Sequence, residues 1–316
     1  MKRLVLALMV LVPACSPGET SESTTSSTSI VASPTTKPAL TTVAPPATTT
    51  TTTSATTSSV PSTTTLAPTG NWATQPLIVT DFGALGWWDG ADWLDAESEE
   101  ILPISGGEDY QTVVGDALGM TTAGPQTTVC DPLELIGVEL ADPDLLGAYP
   151  GPYGVAISAP FDLQPHLYDD GEVDDGTYAG FASDILAGNG LEVDVPIIKQ
   201  LVRTDLEGDG VNEVLVVAEE VTPGLLLQPG DYSILFMRKV IEGEVQTAIM
   251  EETVVMDEDG QFLGAHSVGT VADLNGDGKM EIVSNSSFFE GFAVVIWEYV
   301  NDDLGLNLRL QRGCGS

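Results

Sequence analysis

The stretch DLNGDGKMEIV, Asp273 to Val283, places three oxygen-bearing side chains, Asp273, Asn275 and Asp277, at alternating positions. Gly276 and Gly278 stand among them, and Glu281 leads into an apolar run. Carboxylates crowded within ~5 Å repel one another by on the order of 1 kcal/mol per pair even in water. Such a turn asks for a cation. Hard Ca2+ takes about six to eight oxygens at about 2.3–2.6 Å in flexible geometry. Side chains at positions 1, 3 and 5 of a tight loop can face one centre, and a glycine at position 6 permits the turn. The carbonyl at position 7, here that of Lys279, adds an oxygen.

A twin lies 68 residues upstream. DLEGDGVNEVL, Asp205 to Leu215, matches at Asp, Leu, Gly, Asp, Gly and Glu. Its candidate ligands are Asp205, Glu207, Asp209, the carbonyl of Val211, and Glu213. An EF-hand needs a bidentate Glu at position 12 and a following helix. Position 12 is Val216 in one loop and Ser284 in the other, and each loop leads into a strand pattern. The acid falls instead at position 9, as Glu213 and Glu281.

This pattern, Asp-x-(Asn/Asp/Glu)-x-Asp-Gly-x-x-(Asp/Glu) followed by Ile, Val or Leu, resembles the calcium loops of FG-GAP/VCBS-type repeats. The resemblance covers about Val202 to Val300. It implies loops between the strands of integrin-like β-propeller blades, with Ca2+ in a structural role. About four candidate strands separate the two loops, which suits one blade. The chain departs from the family's usual Asp at position 9, and Glu207 is longer than the usual residue at position 3. Residues 70–199 contain no such loop and do contain a helical pattern. The expected fold is therefore mainly β with one or two helices, a propeller-like or partial propeller of such repeats.

Around the loops the chain reads as many short strands. EVLVVAEE, YSILFMRKVI and EVQTAIMEETVV follow the first loop, with Glu242-Gly243 as a two-residue hairpin turn. EIVSNSS, FAVVIWEYV and LGLNLRL complete the chain. Earlier, QPLIVTDFGALGWWDGADWLDAE reads as strand, turn, strand with WDGA at a hairpin tip. Val155–Ser158 is a short buried strand. GTYAGFASDILAGNGLEV spaces Tyr178, Phe181, Ile185 and Leu186 as a helix, stopped by Gly188 and Gly190. Leu133 to Val138 is a weaker helix candidate.

The first 69 of the 316 residues are of another kind. Lys2 and Arg3 followed by apolar Leu4 to Val12 read as an export signal over residues 1–14, far short of the ~20 residues a membrane span needs. VPAC, Val12 to Cys15, resembles a bacterial lipobox, which implies an acylated N-terminal Cys15. Residues 15–69 are then lipid anchor and stalk. Their Ser, Thr, Pro and Ala offer too little apolar surface to offset the entropy of folding. In polyproline II geometry, at up to about 3.1 Å per residue, such a stalk reaches on the order of 150 Å.

Residues 70–316 carry 45 acids against seven bases, a net charge of −38. Nucleic acid and anionic lipid surfaces are poor partners for such a field. With Cys15 lipidated, Cys130 and Cys314 remain as an even pair, expected to form a disulfide in an exported protein.

The expected protein is exported and lipid-anchored to the outer face of the cell membrane or envelope. It is expected to be non-enzymatic, a binding, adhesion or recognition module for an unidentified surface ligand or protein. That last step is analogy by fold. Two alternatives stand beside it. One is a secreted carbohydrate hydrolase using acids and the cluster Trp87, Trp88 and Trp93; the other is a solute-binding lipoprotein. His166, near Asp169 and Asp170, and His266 are the two histidines, and no Gly-x-Ser-x-Gly, His-Glu-x-x-His or phosphate-cradling loop accompanies them. MDEDGQ, Met256 to Gln261, and YDDGEVDDGTY, Tyr168 to Tyr178, read as acidic turns.

Overall fold

The structure is a computed structural model that describes residues 69–98, 101–148, 152–164, 169–170, 176–223, 226–241, 243–257, 264–288, 291–301 and 305–315. The signal, Cys15 and the stalk up to residue 68 lie outside them, as do His166 and most of the acidic runs 171–175 and 258–261. Among the described residues are three sheets, each formed by antiparallel pairing, one α-helix and two short 3-10 helices.

The first sheet contains β1 (Leu77–Thr80), β2 (Gly83–Trp88), β3 (Trp93–Asp95), β4 (Asp109–Val114), β5 (Ala117–Val129), β6 (Leu135–Leu140) and β7 (Val155–Ser158). Their order is β3-β2-β1-β7-β4-β5-β6. The first half of β5 pairs with β4 and the second half with β6. The register shifts between Ala123 and Gln126, where Gly124 and Pro125 interrupt the ladder. Proline removes a ladder donor, so a bulge is where a long strand tolerates it.

The second sheet holds β8 (Asp169–Asp170), β9 (Ile198–Thr204), β10 (Glu213–Glu220), β11 (Tyr232–Ile241) and β12 (Glu244–Val254), in the order β12-β11-β10-β9-β8. The third runs β13 (Ala265–Ala272), β14 (Glu281–Phe288), β15 (Gly291–Asn301) and β16 (Gly305–Gly315) in chain order. Strands β9–β12 and β13–β16 are thus two four-stranded meanders of the same plan. The division at residue 199 falls inside β9, and the helix α1 (Gly176–Gly188) packs with the second sheet.

Side chains alternate between the faces of each strand. In β10, Leu215 and Val217 face the third sheet, while Val216 and Ala218 face α1. In β14, Ile282 joins the seam with the second sheet and Val283 the core of the first. The layers therefore run first sheet, third sheet, second sheet, helix. Strands buried on both faces read as unbroken apolar runs, which is why EVLVVAEE and FAVVIWEY look as they do.

Helix α1 presses Ala179, Ala182 and Leu186 into the core. Tyr178 and Phe181 lie beside it under Arg203 and Arg238, whose guanidinium carbons sit 5.7 and 3.5 Å from the ring centroids. The helix ends in a Schellman motif. Leu191 N–H donates to the Leu186 carbonyl and Gly190 N–H to that of Ala187, with Gly190 at φ 91°.

Most expected elements stand where the sequence put them, including Val155–Ser158, the hairpin tip at 89–92 and the pairing of Ile241 with Glu244, between which Glu242 lies outside the described residues. Leu133 to Val138 is a correction. It is not helical; Leu135–Leu140 forms β6. Ile136 and Val138 are β-branched around Gly137, and pairing with β5 outweighs weak helical spacing.

Cys130, just after β5, and Cys314, in β16, are bonded with Cα atoms 5.9 Å apart. Gly269 makes a second junction between the first and third sheets. Its carbonyl accepts the Gly115 N–H at 2.7 Å, and a Cβ there would lie 2.1 Å from the Tyr153 carbonyl oxygen. All of these elements lie within one compact unit, Ser62–Ser316.

Candidate metal loops

The twin motifs occupy the same place in the two meanders. Residues 205–212 join β9 to β10, and residues 273–280 join β13 to β14. In each, the acid at position 9 is the first residue of the second strand.

Their hydrogen bonding repeats atom for atom at the key positions. Asp205 Oδ1 accepts the Gly208 N–H at 2.7 Å, and Oδ2 accepts that of Gly210 at 2.7 Å. Asp273 Oδ1 and Oδ2 accept the N–H groups of Gly276 and Gly278 at 2.6 and 2.9 Å. Glu213 Oε2 accepts the Leu206 N–H at 3.0 Å, and Glu281 Oε2 that of Leu274 at 2.7 Å. Asp209 holds the Val211 N–H and Asp277 the Lys279 N–H, at 2.7 and 2.8 Å. The turn is possible because both glycines of each loop have positive φ: 74° and 86° in the first, 80° and 85° in the second.

The environments differ. The second loop is covered: Phe161 lies against Gly276, and Asp273 N–H donates to the Leu163 carbonyl at 2.8 Å. Asp273, Asn275 and Glu281 are buried. Burial pushes the Glu281 carboxyl well above the usual carboxylate range, although the Leu274 N–H opposes it, and the charges of Asp277, Asp273 and Glu298 add to the rise. Burial raises Asp273 as well. In the first loop Asp209 and Val211 are exposed, while Glu213 is buried and its carboxyl is likewise pushed up by burial. Lys239 Nζ sits 2.9 Å from Glu207 Oε1 and also bonds the Tyr299 hydroxyl. The loops touch each other: Met280 N–H donates to the Leu206 carbonyl at 2.8 Å.

The donor chemistry suits a hard cation. All side-chain donors are oxygens, and a carboxylate oxygen that accepts one amide hydrogen keeps another lone pair. Glu213 Oε1 is buried with no hydrogen-bond partner, an uncompensated position that a cation would satisfy. Among the described residues, no three His, Cys, Asp or Glu side chains converge as a metal-binding group. The carboxylates are instead turned onto backbone amides of their own loops.

The other sequence candidates fall elsewhere. Trp87 and Trp93 are buried in the core, with Trp88 edge-on to Trp93 at 5.3 Å between ring centroids. His266 lies at the seam of β12, β13 and β14, its Nδ1 2.9 Å from Glu251 Oε2 and its Nε2 3.1 Å from Thr253 Oγ1. Ser284 and Ser286 also donate to Glu251. Despite its burial, Glu251 is held below the usual carboxylate range by its hydrogen bond to His266, by that residue's charge and by the two serines. Sequence reading missed Lys239, Tyr299, Glu298 and Glu251. These act across strands, and only strand register brings them to their partners. No protein family, curated protein or solved structure matches this chain.

Proposed function

We propose that this is an exported, lipid-anchored cell-surface protein whose β-repeats are stabilised by Ca2+ and serve as a binding, adhesion or recognition module. The observation that carries the reading is the pair of acidic loops with matching hydrogen bonds, placed at the same turn of two stacked four-stranded meanders. A chance acidic turn has no reason to recur with the same acceptors. Face-to-face stacking of successive meanders also supports a propeller-like or partial-propeller arrangement of FG-GAP/VCBS-type repeats.

In this reading Asp205, Glu207, Asp209, the Val211 carbonyl and Glu213 hold one ion. Asp273, Asn275, Asp277, the Lys279 carbonyl and Glu281 hold the other. The ion's work is structural. It neutralises carboxylates that burial has made costly and fixes the turn between two strands. A lipid on Cys15 supplies the anchor, and residues 16–69 hold the folded unit away from the membrane. Among the described residues no helix is long and apolar enough to cross a membrane.

Thermal melting with 1 mM Ca2+ and with chelator tests the metal. Equal melting temperatures in the two conditions would sink the reading. Incorporation of labelled palmitate tests the anchor, with Cys15→Ala expected to abolish it.

A further inference from the structure

The two loops share a plan but differ in the residue that faces their position-9 acid from the third strand of the meander. In the second sheet Val214 pairs with Arg238. One step along, Glu213 therefore faces Lys239. In the third sheet Ile282 pairs with Trp297, so Glu281 faces Glu298. The same topological position holds a cation in one repeat and an anion in the other.

Lys239 is well placed to act as a tethered counter-ion. It is 5 % exposed and lies 2.9 Å from Glu207 Oε1, itself 13 % exposed. The Tyr299 ring, 4.0 Å from Nζ to centroid, holds it there. Glu207 is the position-3 donor, so an incoming ion must share that carboxylate with an ammonium or displace it. The opposite holds around Glu281. Glu298 adds negative charge there and is itself paired outward with Arg309, whose Nε lies 2.5 Å from its Oε2. In the second loop the position-3 residue is Asn275, which makes its hydrogen bonds to Glu281 and Asp277, with no cation among them.

Building on the calcium reading above, we propose that Lys239 makes the two loops unequal: it occupies part of the first loop's charge, leaving that loop a weak, metal-optional site, while the second is the tighter site on which the fold depends. Lys239 is thus a specificity-determining residue for metal in the first loop.

The test uses the full chain carrying Cys15→Ala, titrated calorimetrically with CaCl2. The parent is expected to bind two ions of unequal affinity. Asp273→Asn with Asp277→Asn should remove the tighter one and leave the first loop alone in view. In that background Lys239→Met should tighten the remaining site by roughly tenfold or more, because a unit positive charge a few ångströms from the ion is gone. Lys239→Arg, which keeps the charge, should not. Lys239→Gln gives the same comparison if Met disturbs packing against Tyr299, and far-UV circular dichroism checks the fold of each variant. Two ions of equal affinity in the parent, or a first-loop affinity unmoved by both neutral variants, would overturn the inference while leaving the calcium reading intact. A parent that binds no Ca2+ overturns both.

Discussion

If Asp273 is a calcium ligand, replacing it with Asn has an effect that depends on whether calcium is present, which makes it a sharp test. Without calcium, the buried Asp273 carboxylate accepts two amide hydrogens, at 2.6 and 2.9 Å. Asn keeps one of those acceptors. Loss of the other, a charge-assisted bond, costs about 1.5–3 kcal/mol. Against this, the substitution removes a desolvated charge that burial and Asp277 already push toward protonation. The two effects are of similar size, and the net change in chelator is expected to be within ~1 kcal/mol. With calcium the balance shifts. A site of ~10⁻⁴ M dissociation constant at ~1 mM Ca2+ stabilises the fold by about 1.4 kcal/mol. The variant forfeits that term at the second loop. For a domain of this size 1 kcal/mol moves the melting temperature by about 2–4 °C. Calorimetry at matched ionic strength should show parent and variant within about 4 °C in chelator, and a calcium-induced rise smaller in the variant by about 3–6 °C. A variant that retains the parent's full calcium shift refutes the assignment of Asp273 as a ligand.

Other predictions follow from the buried acids and the disulfide. Glu281, Asp273 and Glu213 have folded-state carboxyls raised above their unfolded values. Their contribution is therefore greatest at low pH and is lost as pH rises through the raised values. In chelator, the melting temperature should climb as pH falls from neutrality toward the ordinary carboxylate range, and calcium should flatten that slope. Glu251 has the opposite sign, since its carboxyl is lowered. Its stabilisation is present above the ordinary value and is lost as pH falls through the lowered one. Glu251→Gln should cost about 2–4 kcal/mol at pH 7, by removing one partner of a buried charge-assisted network, and should shrink the loss on acidification. Reducing Cys130–Cys314, which closes a separation of 184 residues, should lower stability by up to about 5 kcal/mol in the chain-entropy account, read by denaturant melts of Cys130→Ala with Cys314→Ala.

Legibility in the sequence followed locality. The two loops, helix α1, β7 and the β11–β12 hairpin declare themselves through spacing over a dozen residues, and each formed where expected. The disulfide was readable by counting. What stayed hidden is set by partners distant in the chain. β7 inserts between β1 and β4, an order that no local pattern encodes. β6 was misread because a short apolar run of six residues fits either period, and only β5 beside it decides. At the loops, the alternating acidic side chains were visible, but Lys239 and Glu298 were not. Each belongs to the third strand of its meander, and a one-residue change of register would have turned either side chain to the opposite face.

The disulfide also sets how the folded unit answers a pull. Both acidic loops and both meanders lie between Cys130 and Cys314 in the chain. A load applied between residue 70 and the C-terminal end of β16 bypasses the loop that this bond closes. Only the segment from residue 70 to Cys130 can pay out before the bond itself bears the force, at most about 200 Å at ~3.4 Å per residue. Beyond that length the bond carries the load, and the loop between the two cysteines is shielded from it.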